Sequence, residues 1–282
     1  IVLAPLALIQ WIGTSDEVKS QFWTKRSWML LVGSGLALAA HFGAWVASLD
    51  ATSLTHSLLF VTAHPLVIVV GMIALSRFLP GVRYPHHTEM YGAFICFIGA
   101  GITLLDNGAS QGDQTVTVFG DSLAFLGAVF VVGYIVVGRI LRTWMPIFLY
   151  AFPVTLIGAI VLLPFSYIFE SGIAEFGAAG WVASEYFIWF FLLALIAGLL
   201  GHTGLNTCLR YISPLVVSTA VTFEPVLGSL IGWFFFDTGI PGTWTWIGGL
   251  ILMSGLILVV YTSERVALEK ANNQSTDAAA LG

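Results

Sequence analysis

Seven residues combine a chemically useful side chain with a place inside an apolar stretch: His41, Trp45, His64, Tyr134, His202, Asn206 and Glu224. Glu224 is the acidic residue near the centre of such a stretch, where an ionisable group is costly enough to suggest a working role. It could carry a proton, pair with a cationic group, or hydrogen-bond the backbone groups that the adjacent Pro225 leaves free. His64 holds the matching place before Pro65. His41 and Trp45 are four residues apart, as are His202 and Asn206, so each pair shares one helix face. Imidazole, indole, amide and the Tyr134 phenol offer hydrogen bonds and aromatic surface to a small solute. The competing reading for each histidine is a satisfied packing residue.

Other polar residues read as structural. Gly120-Asp121-Ser122 looks like a helix N-cap, with Asp121 as the capping side chain. His86 and His87 lie in a polar loop and suggest solvation only. Cys96 and Cys208 have no CxxC spacing and read as packing residues. No Walker sequence, Gly-rich phosphate loop, zinc-ligand cluster or nucleophile elbow is present. No catalytic residue, metal, cofactor or nucleic-acid partner is therefore expected.

The elements that must position these side chains are transmembrane helices. The 282 residues are 58% hydrophobic and 9% charged, against about 25% charged residues in a soluble domain. So few charges cannot cover a water-facing surface. Apolar runs extend from Trp28 to Leu49, Leu54 to Ser76, Met90 to Leu105, Asp121 to Gly138, Pro146 to Ile168, Tyr186 to Leu209, Pro214 to Phe236 and Thr243 to Tyr261. A ninth, opening at Ile1 and ending at Ile12, is shorter than the roughly 20 residues of a spanning helix and reads as the remnant of one. In this topology all 10 Lys and Arg residues fall on one side of the membrane, which the positive-inside rule makes cytoplasmic. The C-terminus is then cytoplasmic. His41 and Trp45 lie in the outer half of the bilayer, His202 and Asn206 in the inner half. Trp23, Trp28 and Trp144 flank the inner interface, and Trp181, Trp189, Trp244 and Trp246 the outer one.

The sequence also repeats. Ser53 to Pro65 and Ser213 to Pro225 stand 160 residues apart, and Gly92 and Gly99 match Gly248 and Gly255 at 156. The helix with Pro65 runs inward and that with Pro225 outward, so the repeat is inverted. Inverted repeats with bent helices near the midplane are characteristic of secondary transporters. Pro65 and Pro225 are the expected bend points. No basic residue lies deep in a helix, which argues against phosphorylated solutes.

Three stretches resemble the EamA-like family of the drug/metabolite transporter superfamily. They are His41-Phe42-Gly43-Ala44-Trp45-Val46-Ala47-Ser48-Leu49 on to His64-Pro65, Gly120-Asp121-Ser122-Leu123-Ala124 through Gly133-Tyr134 to Gly138-Arg139, and Gly201-His202-Thr203 through Asn206 to Glu224-Pro225-Val226. The resemblance implies an all-α membrane protein of ten helices in two inverted five-helix repeats, here truncated at the N-terminus to about nine. Residues 1–105 would form the first repeat, with its first helix missing and its second truncated. Residues 119–262 would form the second, and 263–282 a disordered cytoplasmic tail. Phe236-Asp237-Thr238 departs from the family, many of whose members place a glutamate there.

The combined reading is a multi-pass plasma-membrane or inner-membrane protein that transports or exports a small organic metabolite by alternating access. An amino acid, or a related uncharged, zwitterionic or cationic solute, fits best, with protons as the candidate coupling ion. A membrane-embedded enzyme using His64, His202 and Glu224, or a channel or receptor, stands as the alternative.

Overall fold

The computed structural model describes residues 2–52, 54–78, 82–103, 105, 117–169, 184–236 and 240–280. Ser53, Trp181, Asp237 and Thr238 lie outside the described residues. Every regular element among the described residues is helical. Helices α1 (Leu3–Ile12) and α2 (Asp16–Phe22) lead into α3 (Lys25–Ala51). A broken rod follows, α4 (Leu54–Val61) and α5 (His64–Leu75), then α6 (His87–Thr103), α7 (Val118–Arg142) and α8 (Ile147–Phe169). Next, α9 (Ser184–Leu192) passes through a π-helical stretch, Leu193–Thr203, into α10 (Gly204–Cys208). A second broken rod, α11 (Pro214–Val221) and α12 (Glu224–Phe236), precedes α13 (Thr243–Ala280).

Among the described residues, six segments are long and apolar enough to cross a bilayer: Lys25–Ala51, His56–Leu75, Val118–Arg142, Ile147–Ile168, Tyr186–Cys208 and Thr243–Val266. The run from Met90 corresponds to α6, which has 17 residues, and the run from Pro214 to the rod broken between α11 and α12. The tail expected to be disordered continues α13 as helix to Ala280. Its residues from Glu264 to Ala280 include no Gly or Pro, and Arg265 pairs with Glu269 one turn on at 3.1 Å, both of which favour helix.

The helices form two compact units. The first comprises Ile1–Ala44 and Val129–Ile212, the second Trp45–Ala128 and Ser213–Gly282. In the first unit, Gln10 on α1 accepts hydrogen bonds from the backbone N–H groups of Phe148 (2.7 Å) and Leu149 (3.3 Å), capping the start of α8. The rings of Trp11, Phe22, Trp23 and Trp28 cluster with centroids 5.2–6.0 Å apart. Along α9 and the π-helical stretch, Trp189, Leu193, Ile196 and Leu200 form an exposed apolar row suited to lipid.

The second unit carries the repeat. Both rods break at a two-residue turn, Thr62–Ala63 and Thr222–Phe223, 160 residues apart. The backbone bonds agree one by one: Ala63 N–H reaches Phe60 O at 3.2 Å, and Phe223 N–H reaches Ala220 O at 3.1 Å. Leu66 and Val67 donate to Ala63 O just as Val226 and Leu227 donate to Phe223 O. The hydroxyls of Thr62 and Thr222 both bond back to the carbonyl four residues earlier, at 2.7 and 3.2 Å. A threonine back-bond followed by a proline that cannot donate weakens the helical ladder twice within one turn. The sequence-level expectation of bends at Pro65 and Pro225 thus meets a helix break just before each proline.

α6 and α13 pack against each other through the glycines of the second repeat signal. A Cβ at Gly99 would lie 2.5 Å from Leu252 N, and one at Gly255 2.7 Å from Cys96 N. One at Gly92 would stand 2.9 Å from Gly255 O, and one at Gly248 2.6 Å from Gly99 O. Gly92 meets Gly255 while Gly99 meets Gly248, so the helices run antiparallel. Each contact becomes its partner when 156 is added to one residue and taken from the other, the pattern of a two-fold related pair. Cys96 and Leu252 exchange with each other, and the Cys96 thiol donates to Leu252 O at 3.4 Å. A two-fold between antiparallel helices lies across their axes, as an inverted repeat requires. Val226 on α12 completes this core with Ala100 and Leu252.

Side-chain clamps hold this unit at two places. Asp121 accepts from Thr52 at 2.8 Å and pairs with His56 at 3.1 Å. The N-cap of α7 is therefore not Asp121, as its sequence suggested. Thr117 fills that place, its Oγ1 accepting from Gly120 N–H at 3.0 Å. Glu89 is wholly buried. It takes both arms of Arg83, the N–H of His86 (2.9 Å) and the hydroxyl of Ser263 (2.8 Å). His86 is the N-cap of α6 rather than a merely solvated residue: its Nδ1 accepts from Thr88 N–H at 3.3 Å, completing a capping box with Glu89.

Glu89 stands just before the apolar run that begins at Met90. Burial pushes its pKa up, but Arg83, His86 N–H and Ser263 more than offset this and hold it below the usual value of 4.5. A depressed pKa gives stability that is present above the unfolded-state value and lost as pH falls through the folded one. Thermal unfolding of the wild type should show this loss below about pH 4.5, while Glu89→Gln should flatten it and cost about 1–2 kcal/mol at neutral pH. An unchanged acid profile in the variant would show that the clamp contributes nothing.

Candidate functional site

Four of the seven candidates fall in the first unit and form one polar cluster. Tyr134 on α7 and Asn206 on α10 are buried, and the Asn206 amide nitrogen donates to the Tyr134 hydroxyl and to His202 O, the latter at 2.7 Å. A carbonyl can only accept, so this bond fixes which way the amide points. Its other end, Oδ1, is buried without a hydrogen-bond partner among the described residues. The Tyr134 ring stacks on Tyr150 at 6.3 Å, and the Tyr150 hydroxyl meets Ser34 at 2.7 Å. Beside them the Phe42 ring lies 5.0 Å from His41 and 5.4 Å from His202.

Backbone geometry explains why these groups meet. Gly138 lies one turn beyond Tyr134 on α7, and a Cβ there would stand 2.9 Å from the Tyr150 hydroxyl and 3.2 Å from Asn206 Oδ1. Without it α10 can approach closely. Arg139 donates to Leu209 O, and Arg142 to Asn206 O at 3.2 Å, so two guanidinium groups cap the end of α10. Cations are favourable at a helix C-terminus, where carbonyls lack partners. The π-helical stretch holds His202, and Thr203 bonds Gly198 O at 3.1 Å across its wide turn. Such turns are rare and are found at functional sites.

The other three candidates fall in the second unit. Trp45 is half-buried on α3, its carbonyl accepting from Ser48 at 2.6 Å. His41 and Trp45 thus share a helix but belong to different units. His64 is buried and its Nδ1 meets Ser218 Oγ at 2.7 Å, tying α5 to α11. Glu224, at the equivalent place, is exposed and its carboxylate has no hydrogen bond or ion pair among the described residues. The backbone groups at the break of its rod are served by other atoms. Pro65 and Pro225 each take the second place in α5 and α12.

Chemically, the first-unit cluster gathers the buried Asn206 Oδ1 acceptor, two phenols, two imidazoles and a phenyl ring. His64 and Ser218 stand within the reach of a base and a nucleophile, but Ser218 is wholly enclosed, which suits a helix tie. No group of three or more His, Cys, Asp or Glu residues among the described residues could hold a metal ion. The sequence reading missed Glu89, His56 and Arg142. His56 stands on α4 while Thr52 lies just past α3, so their spacing of four is not a helical one and gives no signal, whereas Glu89 stands three residues after its capping partner His86, a usable signal.

The sequence pattern of the EamA-like transporter family matches residues 118–261, more than half of the chain. The chain belongs to the EamA-like transporter family. This makes it a multi-pass membrane protein of a family of transporters, and the match spans the second broken rod and its glycine-lined partner. It is also similar to the permease-like protein YdzE of Bacillus subtilis (strain 168), 40% identical over 43 residues, 15% of this chain and 54% of that protein. The chain thus matches about half the length of this curated relative. A solved protein crystal structure aligns with a TM-score of 0.64 at 20% identity, covering 84% of this chain and 77% of the other, and shares its fold.

Proposed function

We propose that the chain is a secondary transporter carrying a small uncharged, zwitterionic or cationic organic solute by alternating access, amino acids and their analogues being the best fit. The observation that carries this reading is the pair of matched helix breaks, with His64 tied at one and Glu224 without a hydrogen bond or ion pair among the described residues at the other. Discontinuous helices in corresponding places of two repeats are the devices by which such carriers bind and move solutes. A carboxylate at that break is suited to a proton or a cationic group. The repeats are residues 1–105 and 119–262, and the one-sided placement of Lys and Arg puts the C-terminus in the cytoplasm of a cell with a plasma or inner membrane.

The solute meets the Tyr134–Asn206–His202–Phe42–His41 cluster. Asn206 Oδ1 selects solutes that bring an N–H or O–H donor, because a buried acceptor left unmade disfavours those that bring none. Flux into proteoliposomes, measured against a panel of amino acids, amines, sugars and donor-free esters, tests this. Donor-bearing solutes should be carried, and Asn206→Leu should cut their rate by at least about tenfold, the equivalent of one lost hydrogen bond to a buried group. Equal flux of donor-free analogues, or an indifferent Asn206→Leu, would remove the cluster from the solute path. The enzyme alternative predicts a changed solute, which the same assay detects by product mass.

A further inference from the structure

Three arginines in the first unit serve no part of the solute chemistry. Arg139 and Arg142 lie one turn apart on α7, and Arg210 follows α10 closely enough to repel Arg142. The ion pairs among the described residues are Lys19–Asp16, His56–Asp121, Arg83–Glu89 and Arg265–Glu269, so none of the three has a carboxylate partner there. Arg142 is nonetheless only 2% exposed. Its bonds, and that of Arg139, go to the backbone oxygens of Asn206, Met145 and Leu209. Carbonyls supply part of the missing negative charge through the helix dipole, but only part. A guanidinium carries five N–H donors, and among the described residues no arginine nitrogen is buried without a partner, so the N–H groups not on carbonyls face the surface, Arg210 most openly. Like charges gathered without a counter-ion are costly at partial burial, and an anion between them would relieve that cost.

We propose that Arg139 and Arg210 bind the phosphate group of an anionic phospholipid, with the buried Arg142 adding positive charge nearby. Phosphate is the match for several convergent guanidinium forks. The lipid source follows from the neighbours. Tyr211 is 74% exposed and lies 6.0 Å beneath the Arg210 guanidinium, and Trp144 is half-exposed just past the end of α7. Aromatic rings of this kind sit at headgroup depth, where basic side chains meet anionic lipid.

Native mass spectrometry on the purified protein, equilibrated with phosphatidylglycerol or phosphatidylcholine, tests the assignment. Wild type should retain phosphatidylglycerol in preference, and Arg210→Gln and Arg139→Gln should each weaken its binding about fivefold. Arg210→Lys, which keeps the charge, should retain the preference even if the glutamine variant proves unstable. Equal retention of the two lipids by the wild type, or undiminished phosphatidylglycerol on both glutamine variants, would overturn the proposal. Displacement of phosphatidylglycerol by millimolar inorganic phosphate would overturn the lipid source and assign the site to a soluble phosphate.

Discussion

Glu224→Gln is expected to abolish proton-driven accumulation of solute while leaving solute exchange at equal pH largely intact. Accumulation requires a group that binds and releases a proton in each cycle, and an amide cannot do so. Exchange of one solute molecule for another needs no net proton movement. The variant should also fold normally, because the carboxylate makes no hydrogen bond among the described residues that the amide would have to replace. The expected result is an accumulation ratio falling to one, with counter-transport reduced by less than about threefold, a barrier change below roughly 1 kcal/mol. Loss of both activities with weakened solute binding would place the carboxylate on the solute instead. Undiminished accumulation would remove Glu224 from coupling altogether.

The second large effect is on stability, at the antiparallel contact of α6 and α13. A Cβ at Gly99 would stand 2.5 Å from the backbone nitrogen of Leu252, so even alanine must force the two helices apart. Overpacking of this kind costs roughly 3 kcal/mol when backbone rather than a flexible side chain must yield. Gly71 on α5 has nothing within 4 Å of its Cβ position, and Gly71→Ala should stabilise by about 0.5 kcal/mol through helix propensity. The same substitution thus has opposite signs at two glycines. Unfolding midpoints in detergent check the pair, and equal effects at both would contradict the close approach.

How much of this was legible depended on the range of the interaction. His64-Pro65 and Glu224-Pro225 announce both breaks, because proline disrupts a helix through its own missing N–H, and their common offset ties them to one repeat. Gly92, Gly99, Gly248 and Gly255 announce the repeat by their common offset, whereas their packing against one another shows only in the structure. The π-helical turn around Gly198 was not legible, since Leu193–Thr203 has the composition of any apolar helix and its wide turns reflect packing. Asp121 was read as a local cap because acceptors near a helix start usually cap it, while its partners are Thr52, just past α3, and His56 on α4. In the candidate site, the i, i+4 spacing of His202 and Asn206 corresponds to a bond from the Asn206 amide to the His202 backbone oxygen. It could not show that Asn206 reaches Tyr134, 72 residues away, nor that His41 and Trp45 would fall in different units.

Alternating access is the step on which transport depends most, and counterflow measures it directly. Proteoliposomes loaded with excess unlabelled solute are diluted into trace labelled solute, with no ion gradient imposed. A carrier that reorients with its solute bound should draw label inward to a transient overshoot above the equilibrium level, and the initial rate should saturate with outside solute. A channel would equilibrate the label monotonically, without overshoot or saturation, and that result from protein shown to be folded and inserted would contradict the reading.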